Sequence, residues 1–124
     1  LTLLFPDAAG GLWLRPHDQD EWLEVEAPDD AMVVNIGDLL ELWSGGYFVS
    51  TPHKVVNASG KERYSFPFFI VPRHDVLVAP LIDCQPGFER APVPVGPVSR
   101  EVWRTNWPEA VPEDTGFDLG TLPD

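Results

Sequence analysis

STPHKVVNASGKERYSFPFF, residues 50–69, reads as two short apolar strands joined by a polar turn. His53 sits on the first strand, and Arg63 and Ser65 open the second. Asn57, Ser59 and Gly60 concentrate the turn chemistry between them, so the segment is expected to be a hairpin. An imidazole on such a strand has two uses. It is a strand-edge histidine satisfied by its neighbours, or a metal ligand through a neutral ring nitrogen, a donor that suits iron, zinc, copper or nickel. Arg63 and Ser65 are two residues apart and share one face of a strand. A guanidinium beside a hydroxyl makes a clamp for a carboxylate; the alternative is a surface Arg paired with a nearby Glu. Tyr64, Phe66, Phe68 and Phe69 surround the pair, so the strand is expected to be buried, and a buried Arg needs a partner.

Outward from this stretch the pattern stays short and strand-like. LTLLF (1–5) is a strand closed by the turn PDAAGG. LWLRP and EWLEVEA flank the polar turn HDQD, and the alternation of Trp22, Glu24 and Glu26 with Leu23 and Val25 predicts a hairpin. PDD is a further turn, and AMVVNIGD is an apolar strand ending at Gly37-Asp38. Asp38 is placed as a helix N-cap with Glu41 completing a capping box. LLELW follows as a short helix, stopped by SGG. The count is six or seven strands and one short helix. Short strands with turn signals between them predict a mainly all-β jelly roll.

Beyond residue 72 prolines interrupt every pattern. VSREVWRTNW reads as a further short helix, and PEAVPEDTGFDLGTLPD as an extended acidic tail. The expected organisation is a β core over 1–72 and a Pro-rich extension over 73–124 that packs on the core or trails from it. Trp13, Trp22 and Trp43 are expected in the core or half-buried in hairpins, and Trp103 and Trp107 to pack the tail onto the barrel.

The 124 residues suit one domain, and 20 acidic against 8 basic residues give a net charge of −12. Nucleic acid and anionic membranes are poor partners for such a surface. One cysteine, Cys84, rules out an internal disulfide and points to a reducing, cytoplasmic setting. No apolar run is long enough for a membrane helix.

VNIGDLLELWSGGYFVSTPHKVV (34–56) followed by GKERYSFPFFIVP (60–72) resembles the 2-oxoglutarate/Fe(II)-dependent dioxygenases, in particular their isopenicillin N synthase-like branch. The family run is V-N-x-G-D, a short helix, S-x-x-H-R-V, and R-x-S on an aromatic strand. These pieces fall at Val34–Asp38, Ser50–Val55 and Arg63–Ser65, with Lys54 in place of the usual Arg. The resemblance implies a double-stranded β-helix, Fe(II) as metal and 2-oxoglutarate as co-substrate, with molecular oxygen and a small organic substrate as partners. It implies His53 as an iron ligand and Arg63 and Ser65 as the holders of the distal carboxylate of 2-oxoglutarate. An Arg-Ser pair also suits a substrate carboxylate, as in a relative that dispenses with 2-oxoglutarate.

The family's His-x-Asp pair would precede a strand like LTLLF, so the expectation is of the carboxy-terminal part of the jelly roll, carrying one of three iron ligands. His17 with Asp18, His74 with Asp75, and Asp7 are the remaining ligand candidates, and Cys84 the remaining nucleophile. Two functions follow. One is a portion of an oxygenase that couples 2-oxoglutarate decarboxylation to hydroxylation or desaturation. The other is a catalytically inactive jelly-roll module for binding, whose exposed strand edges favour self-association.

Overall fold

The computed structural model describes residues 1–28, 30–106 and 108. Trp107 and the predicted acidic tail beyond Pro108 lie outside the described residues.

Eight short strands and two helices are present among them: β1 (Thr2–Pro6), β2 (Leu12–Leu14), β3 (Leu23–Glu24), β4 (Val33–Asn35), α1 (Asp38–Trp43), β5 (His53–Val55), β6 (Ser65–Phe69), β7 (Leu77–Val78), β8 (Val93–Pro94) and α2 (Val95–Asn106). Two three-stranded antiparallel sheets, ordered β4-β1-β6 and β3-β2-β5, face each other. The chain from β1 through β2 is the centre of both. On one side it pairs with β3 and β4, with Trp13 opposite Glu24 and Thr2 opposite Asn35. This is the hairpin that the alternation in EWLEVEA predicts, continued from one sheet into the other.

On its other side the same central chain pairs with β5 and β6, with Leu14 opposite His53 and Thr2 opposite Phe69. His53 and Ser65 are therefore not on paired strands: β5 joins one sheet and β6 the other. This corrects the expected local hairpin over residues 50–69. The pairing that wins is between strands distant in sequence, and the loop between β5 and β6 crosses from sheet to sheet.

Alternation decides what each strand presents. Leu12 and Leu14 lie opposite Val55 and His53, and all four line the space between the sheets, as do Thr2, Leu4, Ser65, Pro67 and Phe69. Phe66 and Phe68 point the other way and are 69% and 62% exposed. The expectation that the aromatic strand is buried is corrected: one face lines the inter-sheet space and the other is open.

The best-packed core lies elsewhere. Leu42, Val78 and Val95 are 2%, 0% and 0% exposed, and Leu39, Trp43, Val76, Phe88 and Val93 surround them. Helix α1 thus seats the β7–β8 ribbon and the start of α2. Full burial of each aliphatic side chain contributes about 1.5–3 kcal/mol. The N-cap of α1 is Gly37, not Asp38, and no side chain caps it; Asp38 occupies the first helical turn, where its charge suits the helix dipole. Glu41 is likewise not a capping residue. It is buried, and Arg90 Nη1 lies 2.8 Å from its Oε2, off the line of a directed hydrogen bond.

The stop signal SGG forms as read. Gly46 N–H bonds to Glu41 O at 2.9 Å and Gly45 N–H to Leu42 O at 3.1 Å, the paired bonds of a Schellman turn. Gly46 is doubly required: its φ is +83°, and a Cβ there would sit 2.6 Å from Phe88. The predicted helix at VSREVWRTNW begins earlier, at Val95, with Pro97 tolerated in its first turn.

Candidate functional site

The facing sheets enclose a cavity of about 490 Å³, lined mostly by aliphatic side chains. His53 and Ser65 enter it from opposite sheets, which is how residues on unpaired strands reach one space.

His53 is the first residue of β5, following Pro52. Its Nδ1 is 3.1 Å from the carbonyl oxygen of Thr51. A carbonyl only accepts, so in the neutral ring Nδ1 carries the proton and Nε2 carries the lone pair. That is the tautomer in which a metal-ligating histidine is held by a backbone acceptor. The approach to β5 is fixed in turn by His17, whose Nε2 lies 2.7 Å from Ser50 O.

Arg63 and Ser65 flank the start of β6. Arg63 Nη1 donates to Ser65 Oγ at 3.2 Å, and Nε donates to the carbonyl of Gly10 at 2.7 Å. Arg63 Nη2 is buried with no hydrogen-bond partner. An unpartnered buried guanidinium nitrogen is costly. It lies beside a hydroxyl that reaches the cavity, and this is the donor arrangement a carboxylate satisfies. No acidic side chain makes an ion pair with Arg63 among the described residues, so the surface Arg–Glu alternative is not what forms.

The loop over residues 7–11 faces the longer loop over residues 56–64, and the difference in length carries the slip in register between β1–β6 and β2–β5. Gly11 makes the close approach possible: its φ is +79°, and a Cβ there would stand 2.4 Å from Val56 O. Val56 N–H also donates to Gly11 O at 2.8 Å. The Gly10 carbonyl as a guanidinium acceptor is not legible in the sequence, because backbone groups carry no residue signature.

The other ligand candidates do not join His53. Asp75 pairs with Arg73 at 2.5 Å, and that side-chain bond holds its carboxyl below the usual carboxylate range. His17 is bonded to Ser50, and both oxygens of Asp7 accept backbone N–H groups. No group of three or more His, Cys, Asp or Glu side chains capable of holding a metal occurs among the described residues. Cys84 is exposed and free. Among the described residues the candidate donors are thus the Arg63–Ser65 pair, of which Ser65 lines the cavity, and the single imidazole of His53. Trp13, Trp22 and Trp43 are half-buried. Trp22 carries two cations, with Lys54 Nζ 4.1 Å and the Arg15 guanidinium 5.5 Å from its ring centre. No helix among the described residues is long and apolar enough to cross a membrane.

Comparison with known proteins bears on the same elements. The family model of the 2OG-Fe(II) oxygenase superfamily matches residues 1–72, the span from β1 to just beyond β6. A feruloyl CoA ortho-hydroxylase of Ipomoea batatas is 37% identical over 91 residues, covering 73% of this chain and 25% of that protein. A 1-aminocyclopropane-1-carboxylate oxidase of Dictyostelium discoideum is 38% identical over 73 residues, covering 58% of this chain and 20% of that protein. The chain spans about a quarter of the length of the first of these relatives. Among solved structures, JOX2 in complex with 2OG, Fe and JA superposes with a TM-score of 0.68 at 30% identity, over 82% of this chain and 30% of that one. A full-length Neurospora crassa protein in complex with alpha-KG and thymine gives 0.63 at 29%, over 84% and 34%. The two facing antiparallel sheets are thus part of a jelly roll, and the chain whose β5 and β6 carry His53 and Ser65 belongs to the 2OG-Fe(II) oxygenase superfamily.

Proposed function

We propose that this chain is the co-substrate-holding portion of a non-haem Fe(II) oxygenase that uses 2-oxoglutarate to oxidise a small organic molecule. The observation that carries the reading is the buried, unpartnered Nη2 of Arg63, whose Nη1 donates to Ser65 Oγ, and Ser65 lines the cavity together with His53. Arg63 and Ser65 bind the distal carboxylate of 2-oxoglutarate, the guanidinium by a charge-assisted pair and the hydroxyl by one further donor. His53 offers Nε2 as one ligand of the family's two-His, one-carboxylate iron set. Fe(II) held there would activate oxygen, whose four-electron reduction is met by oxidative decarboxylation of 2-oxoglutarate and by two-electron oxidation of a C–H bond, hydroxylation or desaturation. The residues of this chain hold and orient: Gly10 O aims the guanidinium, Thr51 O fixes the imidazole tautomer, and the aliphatic lining excludes water. Residues 1–72 form part of the jelly-roll core, and residues 73–124 are a Pro-rich extension of it. The setting is cytoplasmic, nucleic acid and membrane are not partners, and the open edges of β4, β6, β3 and β5 favour self-association.

A second reading has its own support. No group of three or more His, Cys, Asp or Glu side chains that could hold a metal occurs among the described residues, which suits a jelly-roll binding module without oxygenase chemistry. Anaerobic titration of the chain with Fe(II) and 2-oxoglutarate, followed by the visible charge-transfer absorbance, separates the two. A band lost in His53→Ala and weakened in Arg63→Ala supports the oxygenase reading for this chain. A band indifferent to His53→Ala contradicts the assigned ligand. No band, with 2-oxoglutarate still bound through Arg63, establishes the binding module.

A further inference from the structure

Asp7 lies outside the clamp, yet its carboxylate is committed to it. We propose that Asp7 is the positioning residue of the clamp, one carboxylate oxygen fixing the segment between Arg63 and Ser65 at the entry to β6 and the other fixing the loop that aims Arg63. The inference rests on reading Arg63 and Ser65 as a carboxylate clamp.

Tyr64 stands between the two clamp residues. Its N–H donates to Asp7 Oδ2 at 2.5 Å, and its carbonyl accepts the Asp7 N–H at 3.2 Å, so Asp7 grips it on both backbone groups. The second oxygen, Oδ1, accepts the N–H of Ala9 at 3.0 Å. That bond closes an Asx turn and sets the approach of the next residue, Gly10, whose carbonyl accepts Arg63 Nε–H. With Nε held by Gly10 and Nη1 by Ser65, Nη2 is the donor left for an incoming carboxylate. One acid therefore determines where Arg63 begins and what its guanidinium leans on. The Asp7 carboxyl is held below its ordinary range, chiefly by the Tyr64 N–H, with burial opposing and the Ala9 N–H and the Arg63 charge assisting. The ionised form is the one that can accept both bonds. Lys61 and Glu62 line the hollow beside Asp7 without hydrogen-bonding to it.

The test is NMR titration of the chain with 2-oxoglutarate and, separately, with 2-oxobutyrate, which lacks the distal carboxylate. Arg63 Nε–H and the Tyr64 amide are the reporters. Asp7→Ala is expected to move both resonances and to weaken 2-oxoglutarate about tenfold, the loss that follows when a charge-assisted bond is misaligned. Asp7→Asn keeps one accepting oxygen and is expected to weaken it about threefold. Neither variant is expected to change 2-oxobutyrate binding, whereas a merely structural role would weaken both acids alike. Arg63→Ala is measured in parallel. If it weakens 2-oxoglutarate and Asp7→Asn leaves affinity and resonances untouched, the role of Asp7 is overturned while the clamp stands. If Arg63→Ala has no effect, the clamp reading itself fails. Should Asp7→Ala not fold, Asp7→Asn decides.

Discussion

Gly11→Ala joins stability to the site, and its cost can be worked from the geometry. Gly11 has φ +79° and Gly60 has φ +68°, so alanine meets a left-handed backbone at both. That conformation costs a non-glycine residue about 1–2 kcal/mol. At Gly60 nothing lies within 4 Å of the added Cβ, so the backbone term is the whole effect. At Gly11 the Cβ would fall 2.4 Å from Val56 O. That oxygen is main chain and cannot swing aside. Relief requires the loop to move away from β5, stretching the Val56 N–H bond to Gly11 O. Overpacking of this kind costs about 1–3 kcal/mol, and the stretched bond about 0.5–1.5. Gly11→Ala should therefore destabilise by about 2.5–6.5 kcal/mol and Gly60→Ala by about 1–2. Urea unfolding of both variants measures the difference, with unchanged slopes confirming that the midpoint shift is stability. Equal shifts for the two glycines would refute the close-approach argument, and with it the claim that the loop before β2 is held against β5.

Further outcomes follow from the same packing. Leu42→Ala, at a 2% exposed core position, should cost about 2–5 kcal/mol by urea unfolding. Arg90→Ala should cost about 1–2 kcal/mol, because it strands the buried Glu41 carboxylate while Arg90 itself is half in water; Glu41→Gln in that background should recover part of the loss. The carboxyls of Asp7 and Asp75 are both depressed, the first mainly by the Tyr64 N–H and the second mainly by Arg73. Their stabilisation is complete above the ordinary value of 3.8 and fades as pH falls through the folded-state values. Asp7→Asn and Asp75→Asn should each flatten the acid limb of a urea-midpoint profile between about pH 2 and 5.

The parts of this fold legible in the sequence are those set by local chemistry. Alternation in EWLEVEA marks the β2–β3 hairpin, and Ser44-Gly45-Gly46 marks the end of α1. The spacing of Arg63 and Ser65 suggests one strand face; Arg63 lies in the loop just before β6, and its guanidinium reaches Ser65 from there. What local pattern does not carry is pairing across the chain. Asn57, Ser59 and Gly60 look like a hairpin turn, yet β5 and β6 find partners in β2 and β1. The Phe66–Phe69 run suggests burial, but aromatic composition signals apolarity, not how many faces of the strand are covered. Glu41 fits a capping box by spacing, but the helix starts one residue earlier and the carboxylate meets Arg90 from a distant loop. The clamp residues are readable as residue types; the Gly10 carbonyl that aims Arg63 is not, since every residue has one.

The central claim is that Arg63 and Ser65 form a clamp for the distal carboxylate of 2-oxoglutarate. Calorimetric titration of the chain with 2-oxoglutarate and with 2-oxobutyrate, for the native protein and for Arg63→Ala, tests it most directly. With the clamp in place, 2-oxoglutarate should bind about tenfold or more tightly than the monocarboxylate, and Arg63→Ala should abolish the preference. Equal binding of the two acids by the native chain, or a preference that survives Arg63→Ala, would contradict it.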